Sequence, residues 1–267
     1  MPQPVTVANA GGKTLVTNGG SAGKFLGVLD LELAKGAVKD VRYHLLPVYA
    51  GLLKADPAMQ GFIDDARKPH AAAFGEKLAV AGDVLYRRGN FNGSMDQLIC
   101  DALRHELDAE LALSPGFRWG NTMLPGEAIT MEDVLSETAI TYPEVYVQDM
   151  TGGQVKAIME DICDNLFNPD PYYQQGGDMV RMGGLDYACA PAESMGNRIS
   201  DMTLDSGKKL EADKTYKVAG WASVNPQQGK PVWDVFANYL RGEKTAKPKK
   251  LNQVALKGVS NNPGISG

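Results

Sequence analysis

The sequence is poor in the residues that hold metals and make cross-links. Its 267 residues include only three cysteines (Cys100, Cys163 and Cys189) and three histidines (His44, His70 and His105). The cysteines have no C-x-x-C spacing, and an odd number leaves at least one thiol outside any intrachain pair. The histidines form no H-x-H, H-E-x-x-H or His/Cys cluster, so the usual sequence signatures of a metal site are missing. Cys100 and His105 are five apart in a helical pattern and face different ways, which argues against a Cys–His nucleophile. There is no Gly-x-Ser-x-Gly elbow and no phosphate-binding P-loop. No apolar run approaches the roughly 20 residues of a membrane span. The opening Met-Pro-Gln-Pro-Val-Thr-Val has neither the basic nor the apolar region of a secretory leader. An excess of positive charge is missing too: the formal net charge is -5, which points away from nucleic acid and from an anionic membrane surface.

What remains is ordinary for a globular chain, with 43% hydrophobic and 22% charged residues. Residues 1–47 read as β-structure. Val5–Val7, Thr14–Val16, Phe25–Leu31 and Val38–Pro47 are short apolar or alternating runs, with Gly11-Gly12 and Gly19-Gly20 as turns. Strands without covering helices make a poor domain, so this region reads as the edge of something larger. Residues 48–78 read as a linker helix, helical from Pro57 and broken or kinked at Pro69. A mixed α and β region follows over residues 79–243. Ser94-Met95-Asp96-Gln97 and Thr151-Gly152-Gly153-Gln154 are capping boxes opening helices, and Thr130 to Asp133 starts a short one. Strands are expected near Glu110–Leu113, Val145–Asp149, Gly183–Tyr187, Ile199–Leu204 and Tyr216–Ala222, and a helix over Pro231–Arg241. Asn165 to Asp178, with two prolines, two glycines and paired tyrosines, reads as a long structured loop. Residues 244–267 read as a loose tail with at most one strand.

Three segments could bind an anion. In Ser114-Pro115-Gly116-Phe117-Arg118-Trp119-Gly120-Asn121 an arginine lies between two aromatics. Arg118 could donate two parallel hydrogen bonds to an oxyanion, or could stack on Trp119 for structural reasons. In Gln174-Gln175-Gly176-Gly177-Asp178-Met179-Val180-Arg181 a Gly-Gly turn could present backbone N–H groups beside Arg181. Equally, Asp178 and Arg181 could form an ordinary ion pair. Arg87 to Ser94 leads into a helix N-terminus, where capping already accounts for Ser94. Trp221, at the end of a strand, either lines a cleft or fills the core.

These segments resemble a known family. Asn90 to Ala102 is similar to the start of the C-terminal domain of 5′-nucleotidases, and Ser114 to Gly126 to that family's substrate-arginine turn, with Arg118 on the arginine. Ser-Pro-Gly-Phe-Arg-Trp-Gly (114–120), Ala-Ile-Thr-Tyr-Pro-Glu-Val-Tyr (139–146) and Asn-Pro-Asp-Pro-Tyr-Tyr-Gln-Gln-Gly-Gly-Asp-Met-Val-Arg (168–181) more narrowly resemble SoxB-type thiosulfohydrolases of the same superfamily. The nucleobase-clamping elements of nucleotidases are replaced here by Ile140 to Pro143 and Asn225 to Lys230, which argues against a nucleotide substrate. Ala22 stands in a loop where relatives often carry a polar His or Asn.

The resemblance implies an α+β chain: a 5′-nucleotidase C-terminal-like substrate domain preceded by the strand remnant of a metallophosphoesterase domain. It implies hydrolytic release of sulfate from a cysteine S-sulfonate on a SoxYZ-like carrier protein, in the periplasm. The family's two manganese ions would activate water. Their ligands are expected upstream of residue 1, so this chain is expected to hold no metal and to be inactive alone. Arg118 and Arg181 are the expected sulfonate contacts, with Trp119, Asn121, Asp178 and Trp221 as further pocket residues. A 5′-nucleotidase-type phosphatase domain and a non-enzymatic carrier-docking module are the alternatives.

Overall fold

The computed structural model describes residues 4–20, 23–49, 51–87, 91–117, 119–223 and 227–259. The chain divides into two compact units at Pro69/His70.

The first unit is built from hairpins. Strands β1 (Val5–Asn9) and β2 (Gly12–Val16) pair antiparallel, as do β3 (Phe25–Ala34) and β4 (Ala37–Pro47). The longer hairpin turns on two residues, Lys35 and Gly36, both at positive φ (51° and 77°). That backbone twist matches the twist of the flanking strands, which is why two-residue hairpins favour it. Helix α1 (Pro57–Arg67) follows. Asp56 caps it by accepting the Met59 N–H at 2.8 Å, and Pro57 supplies a first residue that needs no N–H partner. The linker helix expected over 48–78 is therefore shorter. A 3₁₀ turn at Lys68–His70 carries Pro69, a four-residue helix α2 (Ala71–Phe74) belongs to the second unit, and strand β5 begins at Lys77 (Lys77–Ala81).

The second unit continues with α3 (Ser94–Glu106), β6 (Leu111–Ser114), β7 (Ala128–Thr130), α4 (Met131–Thr138), β8 (Tyr146–Thr151), α5 (Gly152–Phe167), β9 (Arg181–Gly183), β10 (Leu185–Cys189), β11 (Ile199–Leu204), β12 (Thr215–Gly220), α6 (Val232–Gly242), β13 (Thr245–Ala246) and β14 (Val254–Leu256). A mixed sheet of order β8-β12-β6-β9 forms its centre, with smaller sheets β11-β10-β14 and β13-β5-β7. Strands alternate their side chains between two faces. Accordingly Ala112 and Ala219 join a core with α3 and α6, while Leu111, Leu113, Tyr216 and Val218 join a second core with α5. On α3, Met95, Leu98, Ile99, Ala102 and Leu103 are all fully buried. Their spacing is that of one helical face, and each large one contributes about 1.5–3 kcal/mol by leaving water.

Two local expectations are corrected. Ser94 does not cap α3. Gly93 holds the extended N-cap position, and Asp96 accepts its N–H at 3.2 Å. The Ser94 hydroxyl instead donates to Val84 O and accepts from Tyr86 N, tying down the incoming chain. Residues 244–259 are not a loose tail. β13 pairs parallel with β5, β14 pairs parallel with β10, and the buried Asn252 side chain accepts the Gly184 N–H and donates to Asp205. The capping box at Thr151/Gln154 forms and α4 starts just after Thr130 as the sequence indicates, and there Thr130 and Asp133 make a further capping box not expected from the sequence. Among the described residues no helix is long and apolar enough to cross a membrane.

Candidate functional site

The loop that follows β6 meets the loop that leads into β9, and the two are locked by close approach. A Cβ on Gly116 would collide with Met179 O and with Asp178. Beneath this contact lies a ladder of alternating charge. The Asp96 carboxylate, at the start of α3, takes Arg87 Nε at 2.8 Å on one oxygen and Arg181 Nε at 3.4 Å on the other. Arg181 continues to Asp178 at 3.2 Å. Arg87 also donates to the carbonyls of Glu137 and Pro115. Two guanidiniums and two carboxylates neutralise one another, as buried charges must. Burial pushes the Asp96 carboxyl above the ordinary aspartate range, and Arg87 and Arg181 oppose that rise.

Above the ladder sit aromatic rings. Phe117 stacks on Trp119 with centroids 3.7 Å apart, and meets Trp221 edge-on at 6.0 Å. The Arg87 guanidinium lies within 6 Å of both the Phe117 and Trp221 rings, in cation–π range. Trp221 donates its indole N–H to Ser114 Oγ at 2.8 Å, so its polar tip is satisfied while its ring fills the site. The next residue, Ala222, has φ 58°, a strained conformation for a residue with a Cβ. Together Pro115, Phe117, Tyr146, Asp178, Trp221 and Ala222 border a mostly apolar cavity of about 360 Å³. That is the size and character of a small-ligand site. A larger open cleft of about 720 Å³ lies along β8 and α6, bordered by Tyr146, Lys230, Asp234 and Asn238. None of the site residues expected from the sequence lines it, and the smaller cavity is the better candidate because the charged and aromatic groups converge there.

Glu137, at the end of α4, is fully buried against the same loop. It accepts the Asn121 N–H at 2.8 Å, and Gly120, at φ 93°, passes so close that a Cβ would meet the carboxylate. Its other oxygen has no hydrogen-bond donor among the described residues. Desolvation therefore dominates and raises its pKa to about 7; the Asn121 N–H and the nearby Arg87 charge oppose the rise, and Asp96 and Asp133 add to it.

The structure thus brings Trp119, Asn121, Asp178, Arg181 and Trp221 into one neighbourhood. Arg118 lies outside the described residues, as do residues 21–22, 88–90 and 224–226. Arg181 is 1% exposed, and its place in the ladder lets it hold Asp178 from beneath the cavity. Sequence reasoning does not single out Asp96 or Glu137 as parts of the site, and takes Arg87 chiefly as part of a capping segment. Glu137 carries no signal, since a glutamate on a short helix normally reads as solvated. The doublet Arg87-Arg88 before a helix start is the one available hint for the ladder.

The family described as 5′-nucleotidase, C-terminal domain, matches residues 78–238, and the chain belongs to that family. Among solved structures, the sulfate thiohydrolase SoxB of Thermus thermophilus, in complex with glycerol, is 34% identical, with a TM-score of 0.87 over 98% of this chain and 49% of that one. A 5′-nucleotidase precursor, also from Thermus thermophilus, shares the fold at 18% identity, with a TM-score of 0.79 over 96% of this chain and 54% of that one. No curated protein sequence matches. The chain spans about half the length of the solved structures it resembles. With the family shown, this chain is a SoxB- and 5′-nucleotidase-like C-terminal substrate-binding domain with an α+β fold.

Proposed function

We propose that this chain is the substrate-side portion of a SoxB-like hydrolase that releases sulfate from a cysteine S-sulfonate on a SoxYZ-like carrier protein in thiosulfate oxidation. The observation that carries the reading is the 34% identity to a sulfate thiohydrolase across 98% of this chain. The site is compatible with it. A cavity with apolar walls accepts the thioether-like stem of the modified cysteine, and an arginine loop at its mouth meets the sulfonate. Arg118 makes the direct contact, because a planar guanidinium matches two sulfonate oxygens. Trp119 and Asn121 hold that loop, Trp221 walls the cavity, and Arg181 fixes Asp178 beneath it.

The family's two manganese ions would supply the activated water. Among the described residues no group of three or more His, Cys, Asp or Glu side chains is placed to hold a metal ion. The part this chain plays is binding, orientation and exclusion of water. A periplasmic site of action follows from the same reading.

Calorimetric titration with S-sulfocysteine, alone and in a carrier-tail peptide, tests the proposal. Arg118→Ala should weaken binding by about 1.5–3 kcal/mol, roughly 10- to 150-fold. AMP should bind no better than inorganic phosphate. Base-dependent affinity would favour a phosphatase of the nucleotidase type. Carrier binding that survives Arg118→Ala unchanged would favour a docking module.

A further inference from the structure

The second core holds a pair of thiols that the candidate site does not use. Cys163 faces inward from α5, and Cys189 ends β10. Both are fully buried, and their sulfurs lie 3.4 Å apart, in van der Waals contact. The third cysteine, Cys100, belongs to the other core on α3, where its sulfur lies 3.9 Å from Arg181 O. Only one pairing is therefore open to the folded chain. We propose that Cys163 and Cys189 are a disulfide site, oxidised by a protein or small-molecule disulfide while the chain folds, and that the bond braces α5 to β10.

Geometry and chemistry both support the site. A disulfide needs its two cysteines brought together by the backbone from facing directions, which a helix packed on a sheet strand provides. The two thiols share a hydrogen bond, which holds the Cys189 thiol below its ordinary value and pushes Cys163 up, and the Arg198 guanidinium favours the charged form of either. Cys189 is then the first nucleophile. Its thiolate attacks one sulfur of the donor disulfide, its proton passing to the expelled thiolate, and a mixed disulfide forms. The Cys163 sulfur next attacks Cys189 Sγ and expels the second donor thiolate, which takes the Cys163 proton. Two protein thiols are oxidised and one donor disulfide is reduced to two thiols.

The bond would close the segment that carries the 168–178 loop, Asp178 and Arg181, and Ile158 and Ile162 of α5 border the cavity. It would thus stiffen one wall of the candidate site, but the pairing does not depend on the hydrolase reading. Once the core has closed, both sulfurs are shielded, so the bond resists reduction.

Refolding the full chain in a glutathione buffer of oxidising poise, followed by alkylation and digestion, decides the matter. Trypsin cuts at Lys156, Arg181 and Arg198, which places Cys163 and Cys189 on separate peptides. The expected product is those two peptides linked, about 2 Da lighter than their summed free-thiol masses, with Cys100 alone alkylated. The oxidised chain should melt on the order of 5–10 °C above the reduced chain, and Cys189→Ser should abolish that difference. Recovery of Cys163 and Cys189 both alkylated, or a link to Cys100, overturns the site. A linked pair with an unchanged or lower melting midpoint overturns the brace. The mass measurement needs no variant, so a variant that fails to fold leaves the test intact.

Discussion

The hairpin of β3 and β4 and the helix α3 are comparably rich in apolar side chains, yet they are held in opposite ways. In the hairpin, Leu26, Leu29, Leu31 and Leu33 are 49–68% exposed. Its form comes from the left-handed turn at Lys35-Gly36 and from cross-strand pairs such as Leu29 opposite Tyr43 and Leu31 opposite Val41. In α3, Met95, Leu98, Ile99 and Leu103 have no exposed surface, and the helix is anchored besides by the buried Asp96. One element is specified locally and the other by everything around it. Substitutions should therefore be nearly additive and mild in the first, and severe in the second.

Asp96→Ala should have the largest effect. It leaves two buried guanidiniums without their shared carboxylate, a loss of about 3–5 kcal/mol. Chemical denaturation should show it as a lower midpoint at unchanged slope. A cost under about 1 kcal/mol, the scale of exposed ion pairs, would mean that the ladder is wet in solution and that the contrast between the units is overstated. Gly120→Ala comes next. The added Cβ meets the Glu137 carboxylate and demands a backbone angle that L residues avoid, at an expected cost of about 2–3 kcal/mol. Because Gly120 belongs to the arginine loop, ligand affinity should fall with stability, whereas Gly51→Ala in the first unit, with open space around it, should change neither.

Much of this contrast can be read from the sequence, and the reason for the rest is physical. The hairpin strands and the capped helices α4 and α5 are local structures, carried by glycine turns and by oxygen side chains placed before a helical run. The strands β13 and β14 are not local. Two or three residues such as Thr245-Ala246 acquire strand character only because β5 lies alongside. The ladder is a similar case. Asp96, Arg87, Arg181 and Asp178 are each ordinary surface residues by type, and only the fold brings α3, the loop before it and β9 together. Arg118 and Arg181 are both expected as anion contacts from the sequence, the one for its aromatic flanks and the other for the Gly-Gly turn before it. The motif does not say that Arg181 begins a strand whose ladder partners bury it.

The Glu137 carboxyl gives a test that depends on pH. Its pKa in the fold, about 7, is above the ordinary 4.5. The folded chain thus binds more protons than the unfolded chain between those values, and stability falls as pH rises through that window. Glu137→Gln removes the ionisation while keeping an oxygen to accept the Asn121 N–H. Between pH 4.5 and 8 the variant should gain on the unmodified chain by up to about 3 kcal/mol, from a shift of about 2.5 pKa steps at 1.36 kcal/mol each. A flat difference across pH would mean that water reaches Glu137 and that the arginine loop is held less tightly than the geometry indicates.

The smallest expected effect is in the hairpin itself. Leu29→Ser and Leu31→Ser remove apolar surface that is already about half in contact with solvent. Each should shift stability by no more than about 0.5 kcal/mol, the usual range for surface positions. The hairpin turn and the register of β3 on β4 do not depend on them, so hydrogen-exchange protection of the strand amides should persist. Solubility should rise, because a strand pair with apolar side chains in the open invites association. The informative failure is a loss of about 2 kcal/mol or more, the scale of a buried leucine. It would show that this face is covered in solution, and that the first unit, like the second, owes its form to burial.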